Sequence, residues 1–270
     1  MNLDTYLENI WFAGDPKPDL DTLKQIHRQH LLTIPFENLD VQLGRTVDLD
    51  IRRIYSKLVE QGRGGWCYEM NGLLEWALKE IGFDVMRMAG GVWRAGRGDS
   101  VLGNHLLLCV QLDQPWIADV GFGDGIFEPV PLTPHVFEQR GFSYRLERLE
   151  DYWRLHNHAG GAADSYDFRH APADEELFAQ KCRWLSTAAE SPFVTGLVCQ
   201  KFIPQGYDIQ VGRVAKQVTP QGKREWLIDS ADELLEALGD RFGIDVPEVA
   251  GLWDQIVARH EEFFGPPKTG

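Results

Sequence analysis

Basic residues are in the minority, cysteines are few and scattered, and no apolar run approaches the length of a membrane span. Against 41 Asp and Glu stand 27 Lys and Arg, a formal net charge of −14 over 270 residues. Such a field repels phosphate backbones and anionic headgroups, so non-specific nucleic-acid and membrane-surface binding are excluded. A local basic pocket for an anionic cofactor is still allowed. The four cysteines (Cys67, Cys109, Cys182 and Cys199) lie far apart and form no CxxC pair. That excludes a disulfide framework and predicts free thiols in a reducing compartment. The first residues, Met1-Asn2-Leu3-Asp4, show neither a basic nor an apolar leader, and a cytoplasmic location is expected. What is present is apolar mass: 43% hydrophobic residues with nine tryptophans. A chain of this length and composition builds a substantial interior, divided into two or three closely packed domains.

Residues 1–84 read as helical. Asp4 would cap a short first helix, and Asp19 or Asp21 a second carrying Leu23, Ile26 and Leu31. Asp50 would cap a third, carrying Ile51, Ile54, Leu58 and Val59 and stopped by Gly62. Between the second and third, Pro35 forbids helix and pushes Ile34 into an extended conformation. From Asp84 the apolar period changes to alternation. Stretches 85–88, 105–112, 116–120, 142–148, 152–155 and 166–168 read as strands joined by short turns. Over 85–190 this implies an antiparallel β-barrel or strongly curved sheet, followed by a helix near 173–189. Residues 191–270 read as α/β, with strands near 197–202, 207–218 and 225–228. Helices near 231–242 and 246–264 follow, with a loose tail from Gly265. The fold class is α+β in three parts.

One stretch organises the chain: Arg63-Gly64-Gly65-Trp66-Cys67-Tyr68-Glu69-Met70-Asn71. Two glycines end a turn, and Leu73, Leu74, Ala77, Leu78 and Ile81 then recur at helical spacing, with Gly82 as the stop. Cys67 falls in the first turn, where unpaired N–H groups and the helix dipole favour an anion such as a thiolate. Cys67 is therefore a candidate nucleophile, although a small buried side chain packing a helix against a loop fits the same position. Arg63 and Glu69 are expected to pair and hold the loop.

A thiol nucleophile needs a base and a group that orients the base. Of the eight histidines, His27, His30 and His260 fall on helices among polar neighbours and read as solvated. His156, His158 and His170 lie in or beside polar, glycine-containing segments, and His135 in a loop after Pro134. His105 differs, because it opens the apolar strand His105-Leu106-Leu107-Leu108-Cys109-Val110 after a Gly103-Asn104 turn. The following strand carries Asp119 inside Ile117-Ala118-Asp119-Val120. An acid there is expensive to bury without a partner, and an imidazole is a good one. With the turn centred on Asp113 and Gln114, Asp119 falls opposite Leu108, near His105 but not paired with it; a slip of one residue would exchange the faces. Asp119 also fits a turn-initiating role ahead of Gly121. No closely spaced ligand pair supports a metal site of Cys67, His105 and Asp119.

Four blocks together (Ile34-Pro35-Phe36-Glu37-Asn38-Leu39, the stretch 63–71, Asn104-His105-Leu106 and Asp119-Val120-Gly121-Phe122-Gly123) carry a resemblance. In their order and approximate spacing the sequence resembles the arylamine N-acetyltransferases through nearly its whole length. The resemblance implies a catalytic triad of Cys67, His105 and Asp119, acetyl-CoA as acyl donor, no metal, and a ping-pong mechanism. It implies a small aromatic amine or hydrazine as acceptor. It further implies cofactor contacts at Gly103 and Asn104, a helical first domain, a β-barrel second domain and an α/β third domain acting as a lid over the site. Phe36 and Phe122 are candidate aromatic walls for the acceptor, and core roles fit both equally. Other readings stay open at this point: an amide synthase, a transglutaminase-like enzyme or thiol hydrolase with the same Cys-His-Asp set, and a non-catalytic domain whose Cys67 senses oxidants.

Overall fold

The computed structural model describes residues 1–265. The expected tail beyond Gly265 lies outside the described residues. The first helix, Leu3–Asn9, is capped by Asn2, whose side chain accepts from the Thr5 N–H at 3.2 Å; Asp4, expected as the cap, sits inside the first turn. Asp19 caps Leu20–Thr33 through the Thr22 N–H at 2.9 Å. Asp50 opens Ile51–Tyr55, which continues as one π-helical turn over Ser56–Glu60.

Past Pro35 the chain extends as the two-residue strand Phe36–Glu37. The Glu37 N–H donates to the Gly65 carbonyl at 3.0 Å, and the Gly65 N–H to the Pro35 carbonyl at 3.1 Å. These bonds staple the Ile34–Leu39 block to the turn that precedes the Cys67–Ile81 helix. That helix ends at Gly82 with φ of 104°, as the sequence indicated.

The central part is an eight-stranded antiparallel sheet, curled as a half-barrel. Across it run Val130–Pro131, Pro115–Ala118, His105–Gln111, Asp84–Val92, Ser165–Phe168, Tyr152–His156, Phe142–Leu149 and His135–Gln139. Two of these strands were not anticipated. The expected loop at His135 is an edge strand paired with Phe142–Leu149. Among the described residues no pairing joins the two sheet edges.

A second, five-stranded sheet runs Phe36–Glu37, Val198–Ile203, Gly206–Val211, Val214–Thr219 and Gly222–Leu227. The single strand expected over 207–218 is in fact a hairpin, broken at Gly212 with φ of 50°. The outer strand of this sheet comes from the N-terminal region, with Phe36 opposite Gln200 and Glu37 opposite Cys199.

The largest core joins the first region to the half-barrel: Leu23, Ile26, Leu73, Leu74 and Leu78 pack with Met88, Leu107, Val110 and Ile117. At about 25 cal/mol per Å² of apolar surface buried, this shared interior is the dominant stabilising contribution. A smaller cluster of Leu197, Ala215, Leu234, Leu238 and Val249 lies beneath the second sheet. Between the two sits a third, with Phe36, Trp66, Tyr68, Leu106, Phe178 and Leu185 around Cys67. No helix among the described residues is long and apolar enough to cross a membrane.

Candidate active site

Cys67 is the first residue of its helix and is buried. The turn before it passes so close to the Pro35 carbonyl that a Cβ on Gly64 would lie 2.2 Å from that oxygen. Glu69 accepts from the Trp66 N–H at 3.2 Å, satisfying one of the helix's orphan donors. The expected Arg63–Glu69 pair is not formed. Arg63 instead reaches Glu37 at 2.7 Å and Asp40 at 3.1 Å, while Glu69 takes Lys57 at 2.9 Å. The loop is thus held by a five-member charge network, in which each buried ion has an opposite partner.

The structure brings His105 and Asp119 together beside Cys67. His105 Nε2 lies 2.7 Å from Asp119 Oδ2, and both side chains are buried. The Cys67 thiol donates to the carbonyl of Asn104, the residue before His105, at 3.9 Å, and with Nε2 taken by Asp119 the ring nitrogen left for the sulfur is Nδ1. Observed pairing sets Leu108 opposite Ala118, one residue out of the register expected from the turn. Continuing it puts Asp119 level with Leu107, on the same face as His105, since alternate residues share a face.

Four donors converge on the Asp119 carboxylate. Asn71 Nδ2 and the Gly121 N–H donate to Oδ1 at 2.9 and 3.0 Å, and the Tyr166 hydroxyl donates to Oδ2 at 2.8 Å beside His105. Burial alone would raise the Asp119 pKa, but the charge and hydrogen bond of His105, with Asn71 and Tyr166, hold it below the ordinary carboxylate value. Burial likewise pulls the His105 pKa down, and the Asp119 charge and hydrogen bond more than reverse this, taking it up to about 10. The geometry therefore favours an imidazolium between a carboxylate and a sulfur. Gly121 is required here: a Cβ on it would lie 2.6 Å from the Cys67 Cα.

Cys67 and His105 open into a cavity of about 270 Å³. Phe36 and Phe122 both line it, together with Trp93, Phe193 and Leu197. The Phe122 ring centroid stands 5.3 Å from that of His105, edge to face. Of the two expected cofactor contacts, Asn104 lines the cavity and Gly103 does not. The Asn104 amide is already engaged, accepting from the Val92 N–H at 2.8 Å, and the Gly103 carbonyl accepts from the Tyr68 hydroxyl at 2.5 Å. Among the described residues no group of three His, Cys, Asp or Glu side chains is arranged to hold a metal ion.

Several residues around the site escaped sequence reasoning. Asn71 belonged to the stretch around Cys67 without a role; its Oδ1 accepts from the Val120 N–H at 3.0 Å and its Nδ2 also reaches the Leu106 carbonyl at 2.7 Å. Nothing in a short strand singled out Tyr166. His27 and His30, expected in solvent, are fully buried, and burial drives their pKa values down to about 4 and about 3. The signal was present in the spacing, since both share the face of Leu23, Ile26 and Leu31.

The family model described as N-acetyltransferase matches residues 19–250. The pineal-gland arylamine N-acetyltransferase isozyme of Gallus gallus is 35% identical over 276 residues, covering 90% of this chain and 94% of that protein. The arylamine N-acetyltransferase of Mycolicibacterium smegmatis is 37% identical, covering 93% of this chain and 94% of that one. Among solved structures, the Mycobacterium marinum arylamine N-acetyltransferase in complex with CoA superposes with a TM-score of 0.85 at 30% identity, covering 97% of this chain and 99% of that chain. Fold and sequence together define an acyltransferase enzyme. Within that class, the chain belongs to the arylamine N-acetyltransferase family.

Proposed function

We propose that the chain transfers an acetyl group from acetyl-CoA to a small aromatic amine or hydrazine through an acetyl-Cys67 intermediate. Cys67 is the nucleophile, His105 the base and Asp119 the group that orients it. The observation that carries this reading is the Asp119–His105 pair at 2.7 Å, set against the Cys67 thiol at the floor of an aromatic cavity. Asp119 keeps the proton on Nε2, so Nδ1 faces the sulfur and takes the thiol proton. The thiolate attacks the thioester carbonyl, the C–S bond to CoA breaks, and the departing CoA thiolate takes the proton from His105. The amine nitrogen then attacks the acetyl-cysteine and loses a proton to His105. The sulfur leaves as thiolate, and product and resting enzyme are restored. Backbone N–H groups at the start of the Cys67–Ile81 helix are natural oxyanion donors, each worth about 3 kcal/mol in comparable sites. Phe36 and Phe122 would flank the acceptor ring, and Asn104 would meet the donor. In this reading residues 1–84 carry the nucleophile, 85–190 the base and its partner, and 191–270 cover the cavity, and the enzyme works in the cytoplasm.

The test is intact-mass analysis after incubation with acetyl-CoA, without and then with an arylamine. Wild-type protein should gain one acetyl group on Cys67 and lose it when the amine is added; Cys67→Ser should gain none. Wild-type protein that stays unmodified, or acetylation persisting in the serine variant, would overturn the proposal. Hydrolysis of a peptide amide without any CoA requirement would point instead to a thiol hydrolase.

A further inference from the structure

The strand Pro115–Ala118 leaves the sheet one residue before the carboxylate, so the Asp119 N–H has no strand partner. That N–H donates instead to His27 Nε2 at 3.1 Å, from the helix Leu20–Thr33. The other ring nitrogen, Nδ1, lies 3.0 Å from the Phe127 carbonyl. A nitrogen that accepts from an amide carries no proton, so Nε2 is bare and Nδ1–H donates to Phe127. One neutral imidazole, fully buried, thereby grips both ends of the loop 119–127. That loop carries Asp119, Gly121 and Phe122, three of the residues that shape the site.

We propose that His27 is a positioning residue for the Cys67–His105–Asp119 system: it fixes the Asp119 backbone, and through it the carboxylate that orients His105. The inference rests on the proposed roles of those three residues. Besides His105, the Asn71 side-chain amide, the Gly121 backbone N–H and the Tyr166 hydroxyl donate to the Asp119 oxygens. Two of these three engage the same loop that His27 closes: the Gly121 N–H lies within it, and Asn71 Oδ1 accepts from the Val120 N–H. A loop free to shift at its first residue would move the carboxylate and its donors together. A displacement near 1 Å at a reacting centre costs on the order of a hundredfold in rate.

Two amide variants separate this role from simple stability. In His27→Gln the terminal amide reaches the place of Nε2 and supplies an oxygen to the Asp119 N–H. In His27→Asn it reaches only the place of Nδ1, keeping the bond to Phe127 and losing the one to Asp119. The single-turnover rate of Cys67 acetylation by acetyl-CoA is measured for both, beside thermal melting. H27Q should stay within about threefold of wild type and H27N should slow by about tenfold or more, at an unchanged half-saturating acetyl-CoA concentration. H27N as fast as wild type, or both variants slowed equally, would overturn the inference. So would H27N failing to fold, which would assign His27 to stability alone. Wild-type protein that is not acetylated would sink the functional reading instead. In that case the same two variants are compared by the rate of iodoacetamide capture of Cys67, which needs no acyl donor and carries the same expected order.

Discussion

At Asp119, four donors, one of them a buried imidazole, meet one carboxylate, and its replacement by asparagine is the most informative single change. Asp119→Asn keeps size and shape but supplies an amide where His105 Nε2–H needs an acceptor, which selects the wrong tautomer. Steady-state acetyl transfer should fall about a thousandfold or more while the melting temperature changes modestly. Retention of most of the activity would reduce Asp119 to a turn residue. The four thiols allow a second prediction. Burial pushes the pKa of Cys109 up to about 11 and that of Cys182 up to about 12, and raises Cys199 well above the ordinary value. Cys109 also has an imidazole at its sulfur, with His170 Nε2 at 3.5 Å, but only Cys67 of the four combines the first turn of a helix with a place beside His105 on the cavity wall. One equivalent of iodoacetamide near neutral pH should therefore label Cys67 first and stop acetyl transfer; peptide mapping that finds Cys182 or Cys109 labelled equally would contradict this. At this scale the sequence was legible where chemistry concentrates: glycines before a cysteine, a histidine opening an apolar strand, an aspartate where acids do not belong. Tyr166 and His27 were not legible as partners, because their roles depend on contacts 47 and 92 residues away along the chain.

Among the elements, the helix Leu20–Thr33 is unusual in burying two histidines one turn apart. His30 Nδ1 pairs with the Tyr6 hydroxyl at 2.9 Å and its Nε2 has no hydrogen-bond partner. Both groups have folded pKa values below the ordinary 6.5, at about 4 for His27 and about 3 for His30. Unfolded chains therefore take up protons that the folded chain refuses as pH falls below 6.5. The stability from these two neutral rings is fully present above that value and is lost progressively down to the folded pKa values. Thermal melting should fall by several degrees between pH 6.5 and 4. His30→Phe should melt lower at neutral pH, having lost the Tyr6 bond, but decline less steeply on acidification. An unchanged slope would show that other groups set the acid sensitivity. Element reading succeeded where a capping residue or a period was strong, as with Asp19, Gly82 and the alternation over 142–148. It failed at His135–Gln139, an edge strand whose exposed positions are Val136 and Glu138 and whose half-buried ones are His135, Phe137 and Gln139, so no apolar alternation marks it. It failed again over 207–218, where apolar residues continue on both sides of the turn and only Gly212 marks the break.

For the molecule as a whole, the three-part α+β plan followed from the sequence in outline, but how the parts are joined did not. Two-residue strands such as Phe36–Glu37 carry no periodicity, yet this one ties the N-terminal region into the C-terminal sheet. Sidedness in that sheet therefore depends on residues more than 160 positions upstream of its other edge strand. Expressed alone, residues 191–265 would leave the edge of Val198–Ile203 without its Phe36–Glu37 partner at Cys199 and Gln200. Such an edge invites association. The fragment should elute as aggregates or populate little sheet by circular dichroism, and a monomeric, cooperatively melting fragment would contradict this.

The same stitch limits how the enzyme can breathe. A cover attached by a flexible linker can swing away as a rigid flap and admit substrates from any side. Here the strand Phe36–Glu37, paired with Val198–Ile203 of the second sheet, also reaches the cysteine's own turn through the Glu37–Gly65 and Gly65–Pro35 bonds. Swinging it outward would drag on the nucleophile or unzip backbone pairing beside it. Loosening the Glu37–Gly65 pairing should therefore disturb the Cys67 turn together with the edge of the second sheet.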